Sequence, residues 1–237
     1  MQVPTVNIKG VISSDDNAEI YQWFGYTAVT PSSVADQLSE AGGEDVIVNI
    51  GSNGGDVFAG SEIYSALKEY PGKVDVHITS LAASAASFIA MAGDSVQISP
   101  TAQIMIHRSS TSASGNTDAM ASAKQATDSI DTMLVNVFHK KTGIKCEALY
   151  DMLKAETWIN AEQAVKQGFA DKILFEDEEA DVTDNVYNGV GLISLSRKQI
   201  KDIKQILHPK RVTDDVDKLT DKKSKTEQVK YKLGLLF

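Results

Sequence analysis

Val3, Val6, Ile8 and Val11 stand among polar neighbours between Val3 and Ser13, a pattern that predicts a first strand. Ser14 to Asn17 has turn chemistry, and the aromatic run Ile20 to Phe24 suits either a short strand or a helix start. Thr30 before Pro31 signals a helix start. Val34, Leu38 and Ala41 share one face of the helix predicted from about Ser32 to Glu40, which Gly42-Gly43 closes. Asp45 to Ile50 (DVIVNI) reads as a strand buried on both faces of a parallel sheet. The glycine-rich segment Gly51 to Asp56 must then turn tightly or expose its N–H groups. A helix is predicted over Val57 to Glu69, with Phe58, Ile63, Tyr64 and Leu67 as its apolar set, and Pro71-Gly72 breaks it. Val74 to Thr79 predicts the next strand, followed by a turn of small residues. An Ala-rich buried helix then runs from Ser84 to Ala92, with Gly93 and Asp94 as its stop. Short β-runs follow at Val96 to Ser99 and Gln103 to His107. The β-α-β-α-β-α order predicts an α/β fold, with helices packed on the faces of a mainly parallel sheet.

Ser109 to Asn116 has the composition of a flexible polar loop. From Thr117 to about Thr142 the positions Met120, Ala123, Ala126 or Thr127, Ile130, Leu134, Val137 and Phe138 form one stripe. They predict a long helix that Gly143 caps. Its length exceeds what one small sheet covers, so it is expected to project and pack on another subunit. A short helix over Cys146 to Lys154 follows, then a strand end at Trp158, a helix capped by Asn160, and a last strand from Lys172 to Phe175. Beyond this the composition shifts. Glu176 to Asp184 is an acidic linker, Val190 to Leu195 a candidate strand, and Ser196 to Leu207 an amphipathic helix. Thr213 to Lys232 is dense in Lys and Asp, and the chain ends in the apolar run 233–237. Two parts are expected: a main domain over 1–175 and a helical C-terminal extension over 176–237.

At 42% hydrophobic and 23% charged, the 237 residues match ordinary globular composition. A net charge of -9 argues against nucleic acid or an anionic membrane as partner. No apolar run approaches the roughly 20 residues of a membrane span, and the first ten residues lack a leader pattern. A cytoplasmic location is therefore expected. Cys146 is the only cysteine, so neither an intrachain disulfide nor a cysteine-based metal site can form.

Candidate chemistry lies in the stretch 79–108. Ser84 stands near a helix start and His107 at a strand end, a nucleophile and a base. On residue pattern alone, Ser84 reads equally well as a cap of an Ala-rich core helix. Ser87, one turn on, is a rival serine that is better read as a hydroxyl bonded back to its own helix. Of the other histidines, His77 lies within a strand, His139 within the long helix and His208 in the extension.

Four motifs in order, NIGSNGG (49–55), AASAASFIAMAG (82–93), ISPTAQIMIHR (98–108) and ETWINAEQAVKQGFAD (156–171), resemble the Clp protease proteolytic-subunit (ClpP) family of serine peptidases over roughly residues 5–175. The third and fourth look closest to the branch that phages and prophages use in head maturation. The resemblance implies a ClpP/crotonase-like β-α-β superhelix with a projecting helix. It implies Ser84 as nucleophile, His107 as general base and Glu156 at the position of the family's acid, where an aspartate is usual, with Asp171 as the fallback. It places the oxyanion hole at backbone N–H groups of Gly54 or Gly55 together with Ala85. Asn53 replaces the usual proline, and Ala85 a frequent glycine.

The implied function is metal-free and cofactor-free endopeptidase cleavage of extended peptide, expected in capsid or scaffold maturation, in host cytoplasm or prohead. A general Clp-type subunit working with an ATPase is the alternative. No nucleotide-binding loop occurs here, so ATP use would belong to another chain. The implied self-assembly is a ring, heptameric or tetradecameric. Two other readings are a crotonase-like acyl-CoA enzyme and a non-catalytic ring subunit. The second is motivated by Asn53 and Glu156.

Overall fold

The computed structural model describes residues 3–176. The strand and helices expected between 177 and 237 lie outside the described residues. The chain runs β1 (Thr5–Ile12), α1 (Asp15–Trp23), β2 (Ala28–Val29), α2 (Pro31–Glu40), β3 (Val46–Gly55), α3 (Val57–Glu69), β4 (Val74–Ala83) and α4 (Ala85–Ala90). It continues as β5 (Ser95–Ile98), β6 (Gln103–Ile106), α5 (Thr117–Thr142), α6 (Cys146–Lys154), β7 (Thr157–Asn160), α7 (Ala161–Lys166) and β8 (Lys172–Ile173).

The main sheet is parallel throughout, in the order β2-β1-β3-β4-β5-β8. Beyond its pairing with β3, β4 serves two neighbours on its other edge. Its first half pairs with β5, while Leu81 to Ala83 pair with Gln103 to Met105 of β6, and β6 carries β7 antiparallel on its other edge. This is the α/β fold with a mainly parallel sheet that the element order predicts. Among the described residues no helix is long and apolar enough to cross a membrane.

Burial departs from the expectation of helices on both faces. Apolar burial alternates across the central strands: Val6, Ile8, Val48, Ile50, Val76, Ile78, Val96 and Ile98 are buried. The alternate positions form a polar row in register across the sheet, Asn7-Asn49-His77-Gln97. The run Asp45 to Ile50 is thus half-buried, because Ile47 and Asn49 point to the face away from the core.

Several boundaries also move. The segment with turn chemistry at Ser14 to Asn17 opens α1, which takes in most of the aromatic run as well. The glycine-rich loop belongs to β3, which runs to Gly55 although Gly54 takes φ 91°, and β4 continues to Ala83 without the expected turn. Phe58, expected on the buried face of α3, is 68% exposed, and Ala59 and Gly60 take that face with Ile63 and Leu67. β8 ends at Ile173, short of Phe175.

Other elements follow their local chemistry. Thr30 and Ser33 form a reciprocal capping box at α2, with Pro31 in its first turn. Asn160 and Gln163 do the same at α7. α5 starts on an Asn116 cap and ends at Gly143 in the left-handed conformation (φ 72°). Its buried residues begin at Asp131, and Met120 in the first half is 43% exposed.

Candidate active site

β3 and β4 are the longest strands, and their ends deliver the site. β4 passes directly into α4 through Ser84, whose backbone (φ 54°, ψ -121°) lies in a region that residues with a Cβ rarely adopt. Such a conformation costs on the order of 1–3 kcal/mol and survives only where its surroundings over-determine it. Here they do. The Ser84 N–H donates to Met105 O (2.9 Å) at the end of the β4–β6 pairing, while Ser84 O accepts from the Ser87 N–H (3.0 Å) and hydroxyl (2.5 Å). Ser87, the rival nucleophile, thereby spends its hydroxyl on holding the junction.

Ser84 Oγ makes no capping bond to α4. His107, one residue beyond β6, brings Nε2 to 2.8 Å from this oxygen. β6 pairs in parallel with the last residues of β4, so the same register that pins Ser84 sets the position of His107. His77 instead lies on the polar sheet face near Asp75, and the Nδ1 of His139 bonds to Ile144 O.

Gly54 (φ 91°) packs against the junction from β3. A Cβ there would lie 2.6 Å from Ala83 O, 2.7 Å from Ser84 Cβ and 2.9 Å from Ala85 N. Only glycine lets the two strand ends approach so closely. The Gly54 N–H itself donates to the buried Ser52 hydroxyl (3.0 Å), which in turn donates to Gly10 O (2.6 Å). Of the backbone groups expected to face an oxyanion, the Gly54 N–H is therefore already engaged. Ala85 N–H, at the start of α4, has no acceptor in the helical ladder.

Glu156 and Asp171 separate clearly. Extending the antiparallel register beyond the Ile106–Thr157 pair sets Glu156 across from His107. Glu156 is exposed, adopts φ 50°, and makes no side-chain hydrogen bond to His107 among the described residues. Asp171 is a structural group: Oδ2 accepts from Val96 N (2.7 Å), and both oxygens accept from Lys141 Nζ (2.8 Å). No cluster of metal-ligating side chains occurs among the described residues.

Two contributors escape the sequence pattern. Ser52 stands there only as part of a glycine motif. Asp131 is 1% exposed and receives Arg108 Nε (2.6 Å), Ser109 N–H (2.7 Å) and the Ser109 hydroxyl (2.9 Å). The Asp131 hydrogen bond and charge hold the Arg108 guanidinium above its ordinary pKa. Asp131 falls on the inward stripe of α5 between Thr127 and Leu134, and a lone acid there is the available signal.

Ser84 and His107 open onto a cleft of about 380 Å³ that runs along α5, with Phe88, Ile130, Leu134 and Phe138 in its wall and the exposed Phe58 beside it. An acyl acceptor, a base beside it and an apolar trough are what hydrolysis of a peptide needs.

The sequence model of the Clp protease family matches residues 32–177. The ATP-dependent Clp protease proteolytic subunit of Deinococcus radiodurans is 31% identical over 139 residues, 57% of this chain and 68% of that protein. A ClpP1 variant from Listeria monocytogenes superposes with a TM-score of 0.61 at 21% identity, over 72% of this chain and 91% of that one, a likeness of fold.

Proposed function

This chain belongs to the Clp protease family of serine peptidases, and we propose that it is a proteolytic subunit that cleaves extended peptide through Ser84 and His107. The observation that carries the reading is the 2.8 Å contact between His107 Nε2 and the hydroxyl of a serine on a strained strand-to-helix junction. In this mechanism His107 Nε2 takes the Ser84 proton as Oγ adds to the peptide carbonyl. The carbonyl oxygen becomes anionic and accepts from the backbone N–H groups of Ala85 and Gly55. His107 then returns the proton to the departing amine, and water releases the acyl group by the same steps in reverse order. Glu156 is the third member that the motif order supports. Its exposure and its lack of a contact with the imidazole make it a weak one.

The wider setting follows the family. The Deinococcus relative is named as ATP-dependent, and on that likeness an ATPase partner and a ring of copies complete the proposed assembly. Trimming of capsid or scaffold protein is the narrower role, supported by the resemblance of the third and fourth motifs alone. A scaffold protein offered as substrate to the active enzyme separates the two. Family membership sets aside the crotonase-like reading.

Substitution Ser84→Ala is expected to lower peptide cleavage by at least about 10³-fold and to abolish labelling by a fluorophosphonate. Labelling that survives would move the nucleophile elsewhere. A wild-type protein that assembles and never labels would be a non-catalytic ring subunit.

A further inference from the structure

We propose that Asp131 is a positioning residue for His107, acting through the two residues that follow the imidazole in the chain; the inference rests on the peptidase reading above. His107 stands one residue past the last ladder position of β6, so strand pairing no longer holds it. Among the described residues its side chain has one hydrogen bond, to Ser84, so no carboxylate fixes the ring from its far side. What holds the segment instead is the chain just beyond. Arg108 N–H donates to Leu153 O (3.1 Å), Arg108 Nε to Asp131 Oδ2, and both the N–H and the hydroxyl of Ser109 to Asp131 Oδ1. Ser109 Oγ also lies 3.0 Å from Thr127 O on the same helix.

A buried carboxylate with three charge-assisted contacts is a firm anchor: it pairs with the Arg108 guanidinium and also accepts both donors of Ser109, which fixes two consecutive residues to one side chain. α5 thus holds the imidazole at its working distance from Ser84 without touching it. Misplacement of a base by about 1 Å can cost on the order of 10²-fold in rate, whereas the apolar wall of the cleft, Phe88, Ile130, Leu134 and Phe138, makes no hydrogen bond to Asp131.

The test uses the full chain. Active serines are titrated with a fluorophosphonate, and cleavage of a fluorogenic peptide is measured per titrated site for wild type, Asp131→Asn and Ser109→Ala. Asp131→Asn is nearly isosteric and keeps an acceptor for the Ser109 N–H. It is expected to lower kcat per site about 10- to 100-fold with KM within about twofold. Ser109→Ala removes the hydroxyl that lies within reach of Asp131 Oδ1 and Thr127 O, and is expected to lower kcat per site about threefold. A merely structural role would reduce the number of titratable sites and leave each surviving site at the wild-type rate. That result, or a rise in KM with kcat preserved, overturns the proposal. If Asp131→Asn does not fold, Ser109→Ala decides alone, and an unchanged kcat per site overturns it. Cleavage that persists in Ser84→Ala would instead overturn the peptidase reading, and it is read on a different variant.

Discussion

Ser84 and Gly54 are a matched pair, each in a conformation that the other makes tolerable. The serine takes a positive φ at the strand-to-helix junction, and the glycine supplies the empty volume beside it. A methyl at position 54 would press on Ala83 O and Ser84 Cβ, both held by backbone pairing, so neither neighbour can yield cheaply. Gly54→Ala is therefore expected to cost about 2–3 kcal/mol in urea denaturation, from strain at φ 91° plus overpacking. It is expected to lower the rate per titrated serine as well, because the strain displaces the nucleophile. A Gly54→Ala variant as stable and as active as wild type would contradict this account. These residues are legible as chemistry, since a serine near a helix start and a histidine at a strand end suffice to suggest a nucleophile and a base. Their strain is not. A positive φ at a non-glycine residue leaves no mark in composition or period, because tertiary pairing imposes it.

Among the elements, the helices with cap signals are the most legible in sequence. α5 and α6 have the expected bounds, and α2 and α7 start where the Thr30 and Asn160 side chains accept from the Ser33 and Gln163 N–H groups. Asn160→Ala removes such an acceptor next to the strand that faces β6. It is expected to cost about 1 kcal/mol, or about 2–4 °C in Tm for a domain of this size, with the rate per titrated serine unchanged. A fall in that rate would mean that α7 shapes the site directly. The strands are less legible. Gly51 to Gly55 looks like a turn because two adjacent glycines usually break a strand, yet parallel pairing with β1 keeps Gly51, Gly54 and Gly55 in the ladder. Phe58 falls on the wrong face for a related reason. α3 packs closely on α4, so small residues, Ala59 and Gly60, occupy the contact that a large one is expected to fill.

At the scale of the molecule, the order of elements determines the architecture. Alternating strands and helices permit few topologies besides a right-handed parallel sheet, and the motif order along the chain narrows them to one family. Which sheet face stays polar is harder to read, although Asn7, Asn49, His77 and Gln97 are all visible. Only the register aligns them into a row. α1 stands apart from the rest. It carries no buried residue among those described, and Ile20, Trp23 and Phe24 are respectively 55, 79 and 64% exposed. Local opening is cheapest where no apolar area is lost to water. Backbone amides of 15–23 are therefore expected to exchange with deuterium in the isolated chain orders of magnitude faster than those of β3 and β4. Slow exchange there would show that something covers this segment in solution.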